Sequence, residues 1–329
     1  MMKNTKFGQV FEKYSIYIIL VGMFLLCSVL NSNFLSSRNI INIARQLTVG
    51  IILAYGEMLL VISGLIDLSV GSVLALAGCL SIYSYYETSS ILVAMLVAIA
   101  VGVVCNLVNA VLVTHFGVPA FIATLAMQMA ARGAALYSTN GQNLLQLGDY
   151  VQVGQGSIGF IPIPVIFMVV ITVIIWYIMN HTRYGRSLYA IGGNEAAAVA
   201  SGINVKRSKY ITYVINGILA GIAGVIFMSR VNAGLPAGAE GYEMEGLTAT
   251  IVGGTSFSGG VGTTMGTLAG AFIIGFLNNI MNLNGVDSYI QQMVKGLIIA
   301  VAVVFDIRSK SRKTRKIILA ESSENKESK

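Results

Sequence analysis

Residues 91–114 read ILVAMLVAIAVGVVCNLVNAVLVT, 24 consecutive positions without a charge. As a helix rising about 1.5 Å per residue, such a segment is ~36 Å long, enough to cross the ~30 Å hydrocarbon core of a bilayer. It lies inside a longer charge-free run, residues 88–131, bounded by Glu87 and Arg132, and a second such run, residues 246–286, lies between Glu245 and Asp287. Since roughly 20 apolar residues make one crossing, each run holds two spans and a tight turn. Over the 329 residues, 55% are apolar and 11% charged, and the mean hydropathy is +0.77. Water-soluble domains carry about 25% charged residues. The chain is therefore polytopic, has no room for a sizeable soluble domain, and is not a soluble enzyme.

The 36 glycines and 4 prolines suit helices that approach closely in lipid, where packing has to replace the hydrophobic effect. Continuous apolar runs, in place of short alternating segments, argue against a β-barrel. The expected fold class is an all-α polytopic membrane protein of about ten transmembrane helices, at roughly 15–34, 47–66, 70–86, 91–114, 119–138, 163–180, 209–230, 246–262, 266–284 and 288–305. The first span follows Lys3, Lys6 and Lys13, but it is long for a signal-peptide core and lacks an A-x-A cleavage site, so it is read as a retained helix. Basic residues set the orientation. Sixteen of the 21 fall in the N-terminal segment, in 181–209 (Arg183, Arg186, Lys206, Arg207, Lys209) and in 306–329, while Arg38, Arg45, Arg132, Arg230 and Lys295 lie elsewhere. The positive-inside rule then places both termini and the 181–208 loop in the cytoplasm. The organisation expected is a cytoplasmic segment 1–14, a membrane domain 15–305, and a basic tail 306–329 that anchors to anionic lipid and does not bind nucleic acid.

Catalytic chemistry is missing from the sequence. Cys27, Cys79 and Cys105 sit in apolar runs without a C-x-x-C, which gives neither a disulfide framework nor a metal site. No G-x-x-x-x-G-K-[ST] occurs to cradle a nucleotide, and His115 and His181 stand at span ends with no catalytic partners. Energy for any transport has to come from another chain. Glu57 and Lys295 are the charges nearest mid-span. An ion pair between them is expected, the alternative being Glu57 in an aqueous pathway.

Three segments carry more information. Gly192-Gly193-Asn194-Glu195-Ala196-Ala197-Ala198-Val199-Ala200-Ser201-Gly202-Ile203 describes a short cytoplasmic helix. Asn194 is its N-cap, Glu195 stands at the positive end, and Gly202 takes the left-handed position after it. In Ile66-Asp67-Leu68-Ser69-Val70-Gly71-Ser72, a carboxylate stands where one helix stops and another starts, as a cap would. Gly253, Gly254, Gly259, Gly260 and Gly262 permit a broken helix whose freed backbone groups must face protein or water.

These segments resemble the motifs of permease subunits of ribose-type ATP-binding-cassette importers. Gly192 to Asn204 looks like that family's variant of the EAA coupling motif. Ile66 to Ser72 and Gly241-Tyr242-Glu243-Met244-Glu245 with Val252 to Thr263 match two more of its motifs, although Leu65 and Glu245 replace the usual Gly and Asp. The resemblance covers nearly the whole chain. It implies a monosaccharide permease in the cytoplasmic membrane of a bacterium, working with a second copy of itself, with a separate ATPase subunit that binds ATP and Mg, and with an extracytoplasmic sugar-binding protein. Gly193, Asn194, Glu195, Ala196, Ala197, Ser201 and Gly202 would couple to the ATPase. Asp67, Ser69, Gly71, Gly253, Gly254, Gly259, Gly260, Asn109 and Asn278 would form helix breaks or pathway, with Asn106, Asn109, Asn278 and Asn282 serving either as helix contacts or as lining. Arg132, Arg230 and Glu243 would help dock the binding protein. Importers of nucleosides or autoinducer, and a secondary transporter or channel, remain as alternatives.

Overall fold

The computed structural model describes residues 6–304 and Arg308, with side chains from residue 14 onward. Most of the basic tail and the first five residues lie outside the described residues. The helices are α1 (Lys6–Leu30), α2 (Ser37–Ile62), α3 (Val70–Thr88), α4 (Ile91–Thr114), α5 (Ala120–Ser138), α6 (Gln152–Gln155), α7 (Ile163–His181), α8 (Arg183–Gly193), α9 (Glu195–Ala200), α10 (Val205–Val231), α11 (Tyr242–Val252) and α12 (Thr264–Leu283). A further apolar helix, α13, covers Ser288–Val304. The protein is an all-α membrane protein in which α2, α4, α7, α10 and α12 are each long and apolar enough to cross a bilayer.

The core lies where α2 and α10 pass through the middle of the bundle. Residues 47–62 of α2, apart from Gly50, are buried all round. Around them pack α3, α4, α7, α11 and α12. Glycine sets the closest approaches. A Cβ on Gly102 of α4 would strike the carbonyl of Gly217 in α10, and one on Gly221 would strike Ala98. Ala98 with Gly102, and Gly217 with Gly221, are small residues four apart on facing helices, which lets the two backbones touch.

Two expectations for the elements are corrected. Helix α2 begins at Ser37, ten residues before the expected 47, because the Ser36 hydroxyl caps it by accepting from Asn39 N–H at 3.3 Å. The polar residues Arg38, Asn39, Asn42 and Arg45 had hidden that extension. The expected span 246–262 is not one helix. Helix α11 stops at Val252, and residues 253–263 turn back with Gly254, Gly259 and Gly260 at φ +88, +80 and +77, a backbone that side chains disfavour. The chain between α2 and α3 does the same over a shorter stretch, with Gly64 at φ +78.

At the end opposite these breaks, a short hairpin (β1, Ser157–Ile158; β2, Ile161–Pro162) and α6 form a cap. Leu144 and Gly234 exchange backbone hydrogen bonds of 2.9 and 2.8 Å. These bonds tie residues 139–161 to the connection between α10 and α11.

Candidate functional site

The short helix α9 has the caps its sequence suggests. Asn194 Oδ1 accepts from Ala197 N–H at 3.0 Å. At the other end Ile203 N–H donates to Ala198 O at 3.0 Å and Gly202 N–H to Val199 O at 2.9 Å, with Gly202 at φ +79. This pair of bonds is the Schellman closure that glycine favours. Glu195 pairs with Lys209 at 3.0 Å, pinning the start of α9 to α10. Ala198 is buried, whereas Gly193 through Ala197, with Val199, Ala200 and Ser201, are exposed. The loop expected around this helix also contains α8, whose amphipathic face buries Gly185, Leu188 and Ile191.

Helix α8 joins α9 to both breaks. Gly260 N–H donates to Ile62 O, the last residue of α2, at 2.8 Å, and Tyr189 Oη donates to Gly262 O at 2.9 Å. Gly192 lies against both the Ile62 carbonyl and Gly260, with no room for a Cβ. The sequence singled out the glycines of residues 253–262, but not Gly192 as their partner.

Further along the bundle lies a closed polar network. Asp67 Oδ1 accepts from Ser69 N–H at 2.7 Å and from Ser69 Oγ at 2.5 Å. Asn109 Nδ2 donates to Ser69 Oγ at 3.1 Å. Asn216 Nδ2 donates to Asp67 Oδ2 at 2.7 Å and to Asn106 Oδ1 at 3.1 Å. All five side chains are fully buried. Asp67 thus shapes the turn ahead of α3, while Ser69 is the residue at the cap position. Asn106 and Asn109 serve as helix contacts here. Asn216, which completes the network, was missed in the sequence, where a lone Asn in the apolar run of α10 was its only signal.

The charges expected at the outer face sit differently from that expectation. Glu243 is only 6% exposed. It accepts from Gly241 N–H at 3.2 Å and lies against Gly71 in the first turn of α3, where the helix dipole favours a carboxylate. A buried carboxylate offers nothing to a docking protein, so Glu243 is removed from that surface. Arg132 Nη1 donates to Pro236 O and Gly238 O, both at 2.7 Å, which holds the loop before α11. Arg230 reaches the Tyr242 hydroxyl and stands 5.9 Å over the Phe227 ring. The acidic groups left exposed around this end are Glu87, Asp149, Glu240 and Asp287.

The expected pair between Glu57 and Lys295 is also corrected. Lys295 Nζ lies 3.4 Å from Glu245 Oε2, and Asn278 Nδ2 donates to Glu245 Oε1 at 3.0 Å. The expected span beginning at 246 left Glu245 just outside it, but α11 starts within the bundle and brings its first turn to Lys295. Glu57 is fully buried instead, close to Asp67 and Glu243, and makes no side-chain hydrogen bond of ordinary geometry, the backbone N–H of Asp67 being the donor nearest its carboxylate. Among the described residues no group of His, Cys, Asp or Glu is arranged to hold a metal.

Residues 39–303 match the family described as branched-chain amino acid transport system / permease component. The chain is 41% identical over 302 residues to the ribose import permease protein of Escherichia coli (strain K12), covering 90% of this chain and 93% of that one. It is 39% identical to the ribose import permease protein of Bacillus subtilis (strain 168), covering 94% and 97%. It is 34% identical to the D-allose transport system permease protein of Escherichia coli (strain K12), covering 92% and 94%. No solved structure matches it.

Proposed function

Because the chain belongs to the branched-chain amino acid transport system / permease component family, we propose how it works as the transmembrane subunit of an ATP-binding-cassette importer for a monosaccharide. D-ribose or a similar pentose is the proposed cargo, since the relatives named for ribose match at 41% and 39% and the one named for allose at 34%. Two copies work side by side in a bacterial cytoplasmic membrane, each crossing ten times with both termini and residues 181–208 in the cytoplasm. An extracytoplasmic binding protein delivers the sugar. Separate ATPase subunits hold ATP and Mg, and this chain binds no cofactor of its own.

The observation that carries the mechanism is the contact of Gly192 with Ile62 and Gly260. The exposed residues Gly193 to Ala197, with Ser201 and Gly202, are the surface offered to the ATPase. When the ATPases close, α9 moves as a rigid piece, held to α10 through Glu195 and Lys209. Through Gly192, α8 passes that motion to the end of α2 and to the 253–263 turn. Both are helix breaks, and breaks absorb changes in φ and ψ that continuous helices resist. The network of Asp67, Ser69 and Asn109 is the fixed side of this hinge, Gly71 admits Glu243 to it, and the pathway runs elsewhere, past Asn278.

The test uses the full complex, with ATPase and binding protein, in proteoliposomes. Wild type should take up D-ribose only with ATP. Gly192→Val should keep its ATP hydrolysis but lose uptake about tenfold or more, since coupling free energies run about 1–3 kcal/mol. Ala197→Asp, at an exposed position, should lose stimulated hydrolysis and uptake together. Normal uptake per ATP in Gly192→Val would reject the hinge, and no ATP-driven uptake by wild type would reject the function.

A further inference from the structure

The ion pair of Glu245 and Lys295 is not sealed inside the protein. Its side chains are 19% and 33% exposed, yet it lies well below the capped end of the bundle. Helix α2 serves as a ruler. Arg45 Nη2 donates to Gln155 O in the cap at 2.6 Å. Gly50, which faces Glu245 Oε1, lies five residues further along, about 7.5 Å deeper. Lys295 is likewise seven residues into α13, about 10 Å from its start. A charge facing hydrocarbon costs about 2.5–3.5 kcal/mol at the bilayer centre and less toward its edges, so a partly open pair at that depth is better placed against water than against lipid.

The polar groups near it form two tiers. Nearer the end, Gln291 Nε2 donates to Asn282 Oδ1 at 2.9 Å, with Asn282 and Gln292 exposed. One turn deeper stand Asn278, Glu245 and Lys295; Glu245 also lines a cavity of ≈ 10 Å³ that is otherwise apolar, with Leu47, Ile51, Ala271 and Ile274 around it. Asn278 is 3% exposed, and its Oδ1 accepts no hydrogen bond within the chain. Deeper still, Glu57, Thr248 and Thr250 are buried on the side of α2, while the side of α13 is apolar. Val61, Leu247 and Ile251 close against Ile66, Ala302 and Val303 in an apolar cluster. The outline is a partly exposed polar tier with an apolar cluster beneath it on the side of α13.

We infer that Glu245, Lys295 and Asn278 form the deep end of the sugar's entry path, binding neighbouring hydroxyls of a neutral monosaccharide above the apolar block. The chemistry of the three groups fits that class. A carboxylate accepts from two adjacent hydroxyls, an ammonium donates to their oxygens, and the free amide oxygen accepts a third bond. The ion pair already balances its own charge, so a charged solute would leave one charge uncompensated, whereas a polyol would not. This inference rests on the reading of the chain as a monosaccharide permease and adds the place where cargo first meets it.

The test is Lys295→Cys in a complex whose Cys27, Cys79 and Cys105 are replaced by Ala, assembled with its ATPase and binding protein in proteoliposomes. The variant should lose most D-ribose uptake. Aminoethyl methanethiosulfonate added on the binding-protein side should react with it, restore part of the uptake by rebuilding an ammonium, and react several-fold more slowly in millimolar D-ribose. Asn278→Ala, which leaves the ion pair intact, should lose uptake several-fold while ATP hydrolysis is stimulated as in wild type. A thiol at 295 that the reagent does not reach, a reaction rate indifferent to D-ribose, or wild-type uptake by Asn278→Ala would each overturn the site and leave the pair a structural clamp. ATP-driven uptake by the parent complex is measured alongside, and its absence would reject the transport function itself.

Discussion

At the scale of single residues, the decisive side chain is Asn216. It is the only described hydrogen-bond donor to Asp67 Oδ2, and it bridges that carboxylate to Asn106 on another helix. Replacing it by Leu removes one partner of a buried charged group and leaves the other dry. That costs on the order of 3 kcal/mol, well above the net worth of an ordinary hydrogen bond. Asn216→Leu should therefore unfold at clearly lower temperature in detergent than wild type, and Gln292→Ala, at an exposed position, should not. Equal unfolding temperatures would mean that Asp67 finds another donor. Charge and polarity are legible one residue at a time, but partners are not. The sequence offered Glu57 and Lys295 as a pair because both lie near mid-span. The structure gives Lys295 to Glu245, since pairing depends on where a broken helix re-enters the bundle, and composition does not encode that.

At the scale of elements, much of the fold could be read directly. The apolar run at 91–114 is α4 residue for residue, and α9 carries the capping residues its sequence announced. Helix α8 and the first ten residues of α2 were less visible, because amphipathic or capped helices with arginines do not score as apolar spans. Glycine at close helix contacts gives the sharpest test. Gly217→Leu would push a side chain into the carbonyl of Gly102, between backbones that cannot part without moving α4. Overpacking of this kind typically costs about 1–3 kcal/mol, occasionally more. Gly133→Leu, in α5 where nothing lies within 4 Å, should stay within about 0.5 kcal/mol of wild type. Thermal unfolding of the two variants in the same detergent should separate them. If they are equally stable, the approach of α4 and α10 is looser than the structure has it.

At the scale of the whole molecule, sidedness is what the chain owes to its charges. Most of its basic residues cluster in segments on one side of the expected spans, and the structure gathers distinct groups of segments at the two ends of the bundle. Ile62 at the end of α2, Gly192 in α8 and Gly260 in the 253–263 turn meet at one end. The 139–161 segment and the connection after α10 meet at the other, through Leu144 and Gly234. An even number of crossings between the N-terminus and the 181–208 loop is needed for both to lie on one side. If one apolar helix were peripheral and failed to cross, the basic loops would be split between compartments. Exposed positions at each end make this measurable: Ala196 lies in α9 and Gln152 at the start of α6. In a background without native cysteines, Gln152→Cys in whole cells should react with a membrane-impermeant maleimide. Ala196→Cys should react only after the membrane is opened, and both should do so without loss of protein. Reaction of both from outside, or of neither, would put the two ends on one side of the membrane. The hinge at Gly192 would then have no ATPase within reach, because ATP is hydrolysed in the cytoplasm.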